Sequence, residues 1–288
     1  MSRREEILER VHTVQMMPPA AMEVVRLFQQ DDVSITELTR AIEYDPGLTS
    51  NVLRLANSAY FGCQLEVGSV REAILRLGTR SILRLVTTAA FSAVSRAGVR
   101  GYDLAPGKLW EHSMSVALGA TRLADKLGLE MRDNLFTSAI LHDIGKILLG
   151  TFVEVDAGPI LDIANDERVS FEVAEQRIMG IDHAEVGAVL LGTWNLPPGI
   201  VEAARWHHEP DQARTGSPAV DVIHVADVLC IMSGVANGID GLNYRTCKGA
   251  EERLSLKGRL AEEIVCEILS GLDDLHRLFD GPEAGNRP

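Results

Sequence analysis

Apolar residues return every three to four positions along almost the whole chain, and runs that alternate β-branched with polar residues are nearly absent. A helix hides one stripe of its surface, so this spacing commits the chain to helices packed on helices, an all-α fold. The helix starts are written locally. Ser34 precedes ITELTRAIEY, Pro46 opens GLTSNVLRLANSAY, Ser69 with Glu72 has the form of a capping box, and Ser170 precedes FEVAEQRIM. Asp182 with Glu185 and the pair Pro197 and Pro198 mark two further starts. Gly78, Gly128, Gly180 and the segment GTWNLPP supply the stops, because they tolerate left-handed geometry or cannot continue a helix.

One composition shift divides the pattern: SRAGVRGYDLAPG, residues 95–107, whose glycines and proline separate a first helical bundle from a second. The expected division is an N-terminal bundle at 1–100, a second bundle at 101–240, and a C-terminal helical cap at 241–288 ending in the flexible tail DGPEAGNRP. There is no repeat of fixed period, and 288 residues bury a core without staples. Cys63, Cys230, Cys247 and Cys266 are scattered without CxxC spacing, and the start has no signal-peptide pattern, so a reduced, cytoplasmic chain is expected. The long apolar run at 219–236 carries Asp221, His224 and Asp227, which a bilayer tolerates poorly, so it reads as a buried helix and no membrane partner is expected. A net charge of −13 repels polyanions, which argues against nucleic acid and acidic membranes as partners. An anionic ligand would need a specific site to draw it.

Such a site is suggested by SAILHDIGKILLG, residues 138–150, where His142 and Asp143 interrupt an apolar run. A buried imidazole and carboxylate are costly unless they pair or hold something. Five of the eight histidines lie between 112 and 208: His112, His142 beside Asp143, His183, and His207 with His208, with Asp227 further on. Taken singly, each reads as an ordinary core or surface histidine. Taken together, on or at the ends of five predicted helices, they have the distribution by which helical bundles build metal sites.

EHSMSVALGATRLADKLGL, SAILHDIGKILLG, DHAEVGAVLLGTWNLPPGIVEAARWHHEP and VIHVADVL together resemble the HD superfamily of metal-dependent phosphohydrolases, in its signalling branch. MMPPAAMEVVRLFQ, ITELTRAIEYDPGLTSNVLRLANSAYFG and SVREAILRLGTRSILRLV closely resemble the helical extension of HDOD proteins, the HD-related output domain of bacterial signalling. The likeness runs from about residue 14 to about 235. It implies an HD-like second bundle and a first bundle without catalytic groups. Many HDOD members are degenerate at the metal ligands, but here every position is filled. By the HD-GYP motif, His112 matches the first histidine, His142 and Asp143 the doublet, His183 the HxxxG histidine, His207 and His208 the pair, and Asp227 the closing aspartate.

Two six-coordinate ions offer about twelve positions, seven such residues with Asp143 bridging fill about eight, and about four remain for water and substrate. The implied cofactor is one or two divalent transition metals; imidazole-rich ligands favour iron, manganese, zinc or nickel over magnesium. Two such ions against two aspartates leave a local charge of about +2, enough to draw a phosphate. Catalytic roles would fall on Asp143 as the bridge and on Lys146, which either contacts phosphate or is a solvated helix-end lysine.

Two departures bear on function. The His pair is followed by EPDQARTGSP and not by the Asp-Gly-x-Gly-Tyr-Pro run associated with cyclic di-GMP recognition, and Lys108 stands where some relatives place a glutamate for a third metal. Elsewhere Arg76, Arg80 and Arg84 read as a solvated face interrupted at Gly78, and Asn57 and Gly62 as caps packed by Tyr60 and Phe61. His12 and His276 read as surface residues, while His224 and Glu209 are candidates to orient the ligands. The expectation is a regulatory HDOD module with a retained metal site, acting through a signalling partner or a small phosphate-bearing ligand. The alternatives are a metal-dependent phosphohydrolase acting on a nucleotide or cyclic dinucleotide, and, with less support, a di-iron redox sensor. With no receiver, kinase or DNA-binding module recognised, the signal is expected to arrive by non-covalent association or through the ligand itself.

Overall fold

In the computed structural model the described residues are 2–14, 16–30, 32–58, 61, 66–130, 134–152, 156–214, 218–235, 238–241 and 244–280. Among them regular structure is helical, and β pairing is confined to one isolated bridge between Val99 and Leu104. In chain order the helices are α1 (Arg3–Thr13), α2 (Pro19–Leu27), α3 (Ile35–Glu43), α4 (Pro46–Ala56), α5 (Val70–Leu77), α6 (Thr79–Ser95), α7 (Lys108–Leu127) and α8 (Leu135–Leu141). They continue with α9 (Ile144–Ile147), α10 (Gly158–Glu167), α11 (Phe171–Met179), α12 (His183–Thr193), α13 (Pro198–Trp206), α14 (Pro218–Met232), α15 (Lys248–Arg253) and α16 (Gly258–Asp280). No helix among the described residues is long and apolar enough to cross a membrane.

The chain forms two compact units. One comprises Met1–Val14, Ser95–Thr193 and Pro197–Pro288, the other Gln15–Val94 with Trp194–Leu196. The units are therefore not successive thirds of the sequence: α1 and α16 group with the helices that follow residue 95. The proposed flexible tail, apart from its first residue, lies outside the described residues.

In the smaller unit the helices start where the local signals put them, although the cap at the start that Pro46 marks is Asp45 and the Glu72 carboxylate reaches the Gly68 amide and not that of Ser69. Ser34 Oγ accepts from the Glu37 amide, Asp45 Oδ1 from the amides of Gly47 and Leu48, and Ser69 Oγ from the Glu72 amide. Its core is aliphatic, with Val24, Leu38, Ile42, Val52, Leu55, Ile74, Ile82 and Leu85 buried. Asn57 both ends α4 and closes the following loop, its amide nitrogen donating to Val67 O at 3.0 Å and its oxygen accepting from Val67 N at 2.7 Å. Gly62 and Tyr60 lie outside the described residues. Arg76 and Arg80 are exposed and Arg84 is half-buried, its guanidinium over the Phe61 ring, while α5 ends before Gly78 at φ +82°.

In the larger unit α7 is central, packed by α8, α14 and α16. α12 packs on α1, α9 and α13; Arg4 fastens α1 there by donating to Gly180 O at 2.7 Å and pairing with Glu185. The stretch 138–150 is not one continuous helix. α8 stops at Leu141, Asp143 leaves helical geometry at φ −99° and ψ 11°, and after α9 the chain widens into a π-turn at Leu148–Phe152. Two glycines explain the break. A Cβ on Gly145 would lie 2.0 Å from His183 O, so α9 meets the start of α12 backbone to backbone, and a Cβ on Gly150 would lie 2.4 Å from Val99 Cγ1.

Candidate metal centre

The break in 138–150 turns His142 and Asp143 inward together. His112 comes from α7, His183 from the first position of α12, His207 and His208 from the end of α13, and Asp227 from α14, all within the larger unit. The seven side chains converge as two groups: Asp143, His183, His207 and His208, and His112, His142 and Asp227. Asp143 lies between them. Its Oδ1 is 3.4 Å from His183 Nε2 and 3.6 Å from His207 Nε2, and its Oδ2 is 3.4 Å from His142 Nε2 and 3.5 Å from His112 Nε2. Asp227 Oδ1 sits 3.0 Å from His112 Nε2 and 3.7 Å from His142 Nε2. His208 is half-buried and the other six are buried.

Local geometry aims the rings. His142 Nδ1 is 2.6 Å from Ala139 O and His207 Nδ1 is 2.8 Å from Ala204 O. A carbonyl only accepts, so both rings donate from Nδ1 and turn Nε2 toward the centre, where it is a metal donor once the ring is neutral. His183 Nδ1 is held at 2.6 Å by Glu175 Oε2, which turns its Nε2 inward as well. The Nε2 atoms of His183 and His208 stand 2.8 Å apart, a separation that requires a proton or a cation between them. Nε2 of His112, His142 and His207 and Oδ1 of Asp143 and Asp227 are buried without a hydrogen-bond partner. Such atoms are uncommon in a folded interior, and five of them converging here leave a place for an ion to satisfy them. Nitrogen and carboxylate donors converging with open lone pairs fit divalent transition-metal ions.

Charge is polarised across the centre. Burial disfavours an ionised carboxylate, yet Lys146 and His142 outweigh it at Asp143, as the adjacent imidazoles of His112 and His142 do at Asp227, and both stay well below the usual carboxylate range. Burial also disfavours imidazolium, but Asp143 and Asp227 raise His142 to about 10, and Glu175 with Asp143 raises His183. Burial prevails at His207, lowered to about 4, and at His208, lowered well below the usual imidazole range by burial and by its proximity to His207 and His183.

Lys146 is neither solvated nor at a free helix end: it is 4% exposed and donates to Asp143 Oδ2 at 2.6 Å. His224 donates from Nδ1 to His207 O at 2.7 Å and accepts at Nε2 from the Cys247 amide at 2.8 Å, so it braces the backbone of the His pair. Glu209 and His12 are exposed, the side chain of His276 lies outside the described residues, and Lys108 pairs with Glu111. The sequence reading missed Glu175 and Tyr102, whose hydroxyl donates to Glu175 Oε1. A signal for Glu175 existed: it occupies a core register of α11, four positions after buried Phe171 and four before buried Met179.

A family model for the HDOD domain matches residues 14–210. An uncharacterized protein of Treponema pallidum (strain Nichols) is 23% identical over 224 residues, 77% of this chain but 43% of that protein, so the chain spans less than half of that relative's length. Among solved structures, an HDOD domain protein of Geobacter sulfurreducens with unknown function aligns with a TM-score of 0.74 at 23% identity, covering 96% of this chain and 99% of that one. A candidate phosphohydrolase of Shewanella amazonensis SB2B aligns at 0.64 with 25% identity, covering 91% and 97%. A candidate signal transduction protein of Marinobacter aquaeolei VT8 aligns at 0.71 with 20% identity, covering 96% of this chain and 64% of that chain.

Proposed function

The chain belongs to the HDOD domain family, and on that premise we propose that it is a signal-transduction module that holds one or two divalent transition metals and acts by binding a partner protein or a small phosphate-bearing ligand. The observation that carries this reading is the placement of Asp143, one carboxylate oxygen toward each group of histidines. Asp143, His183, His207 and His208 would hold one ion; His112, His142 and Asp227, sharing Asp143, would hold another. Iron, manganese, zinc or nickel suit five imidazoles and two carboxylates. When bound, such ions supply positive charge for an anion and Lewis acidity toward a phosphoryl oxygen.

The chain's own residues prepare that centre. Lys146 holds Asp143 in the orientation that serves both groups, and the carbonyls of Ala139 and Ala204 fix the rings of His142 and His207. Because six of the seven ligands are buried and His208 is half-buried, the arrangement favours holding and sensing over rapid exchange of a bulky substrate.

Hydrolysis is the second reading, favoured by the bridging position of Asp143 and by likeness to the Shewanella protein. The deciding experiment is elemental analysis of protein purified without chelator, followed by hydrolysis of nucleotides, cyclic dinucleotides and an aryl phosphate with added Mn2+ or Fe2+, wild type against Asp143→Ala. Stoichiometric metal without a metal-dependent rate is the expected result. A rate that vanishes in Asp143→Ala would establish the enzyme, and absence of metal in the wild type would refute both readings.

A further inference from the structure

One buried carboxylate beside the centre belongs to neither ligand group. Glu175 is 0% exposed, and both of its oxygens are occupied. Oε1 accepts from the hydroxyl of Tyr102, itself 1% exposed; Oε2 accepts from the His183 amide at 3.0 Å and faces His183 Nδ1 at 2.6 Å. Tyr102 is fixed in turn, tilted against Phe171 at 5.5 Å and set edge-on to the His183 ring at 6.2 Å.

The three inward-turned rings therefore differ in what stands behind them. His142 and His207 each donate from Nδ1 to a neutral carbonyl, whereas His183 donates to a carboxylate. A charged acceptor on one imidazole nitrogen raises the basicity of the other, and enclosure away from water strengthens that polarisation. We propose that Glu175, held by Tyr102, is a positioning residue of the metal centre: it locks His183 Nε2 toward Asp143 and His208 and makes His183 the strongest neutral donor of the seven. The group of Asp143, His183, His207 and His208 accordingly takes up its ion before the group of His112, His142 and Asp227. This rests on the metal-holding reading above.

Glu175 also caps the start of α12 through the His183 amide, so loss of stability alone does not separate the two roles. Glu175→Gln separates them, because an amide oxygen still accepts there while the charge is gone. Chelator-treated wild type, Glu175→Gln and Tyr102→Phe are titrated with Co2+, following visible d–d absorption and competition with a chelating dye, with a thermal melt of each metal-free protein. The tightest Co2+ uptake is expected to weaken about 10–100-fold in Glu175→Gln. Its d–d bands should shift in addition to any fall in the metal-free melt from losing the buried Glu175–His183 pair, while Tyr102→Phe moves affinity and spectrum in the same direction by less. Should Glu175→Gln fail to fold, Tyr102→Phe decides. Affinity and spectrum equal to wild type in the deciding variant would overturn the role of Glu175 and leave the metal centre standing; no Co2+ uptake by the wild type would overturn both.

Discussion

At the scale of single residues, the carboxylate of Asp143 meets the Lys146 ammonium at 2.6 Å and four imidazoles at 3.4–3.6 Å. Removing one partner of a buried charged network costs about 3–5 kcal/mol, because the others are left uncompensated. Asp143→Ala is therefore expected to abolish metal retention and to lower the stability of the metal-free protein by about that amount, as read by elemental analysis and chemical denaturation. Burial acts to discharge His142, yet Asp143 and Asp227 raise it from 6.5 to about 10. A raised folded-state value means that this ring's contribution to metal-free stability is complete below 6.5 and is lost as pH rises through about 10. A metal needs the neutral ring, so uptake releases protons and tightens over the same window. Melts from pH 6.5 to about 10 should show the metal-free protein losing part of its stability and the gap to the metal-loaded protein widening. A gap that narrows would contradict the assignment.

At the scale of helices, two close approaches hold the larger unit together, and the site depends on the first. α9 lies against the start of α12 because Gly145 has no side chain: a Cβ there would fall 2.0 Å from His183 O and 2.8 Å from Gly187 N. Backbone cannot yield as a flexible side chain does, so Gly145→Ala should cost about 3 kcal/mol or more and reduce metal content, since it pushes Asp143 and His183 apart. Unchanged melting and full metal content would refute this. α16 meets α7 through a side chain, where a Cβ on Gly119 would fall 2.8 Å from Ile268 Cδ1. Ile268 is fully buried, so Ile268→Ala should cost about 2–5 kcal/mol through the cavity it leaves, with metal content retained because none of the seven ligands is on α16.

At the scale of the molecule, all seven candidate ligands fall in one of the two units, and the formal net charge is −13. Binding to the folded form alone stabilises it by about 2.7 kcal/mol at a hundredfold excess over Kd. Chelation should therefore raise amide hydrogen exchange in α7–α9 and α12–α14 and leave α2–α5 unchanged, as measured by mass spectrometry on the intact chain. Equal increases in both units would mean that the metal stabilises more than its own bundle.

What the sequence by itself determined was local. Ser34, Asp45 and Ser69 cap helices because each side chain reaches an amide two or three positions on, a distance set by the helix alone. The seven metal-competent residues were legible as a set, because imidazoles and carboxylates on otherwise apolar helices need something to hold, and because their motifs resemble a known family. Only the tertiary structure decided how that set is divided. It set His183, His207 and His208 with one side of Asp143 and His112, His142 and Asp227 with the other, ended α8 at Leu141 inside the run 138–150, and buried Lys146 against Asp143. It also joined Tyr102 to Glu175 across 73 positions and His183 to His208 across 25. Such contacts follow from how closely helices approach, which depends on glycines such as Gly145 meeting backbone from a distant segment, and helical periodicity carries no record of that meeting.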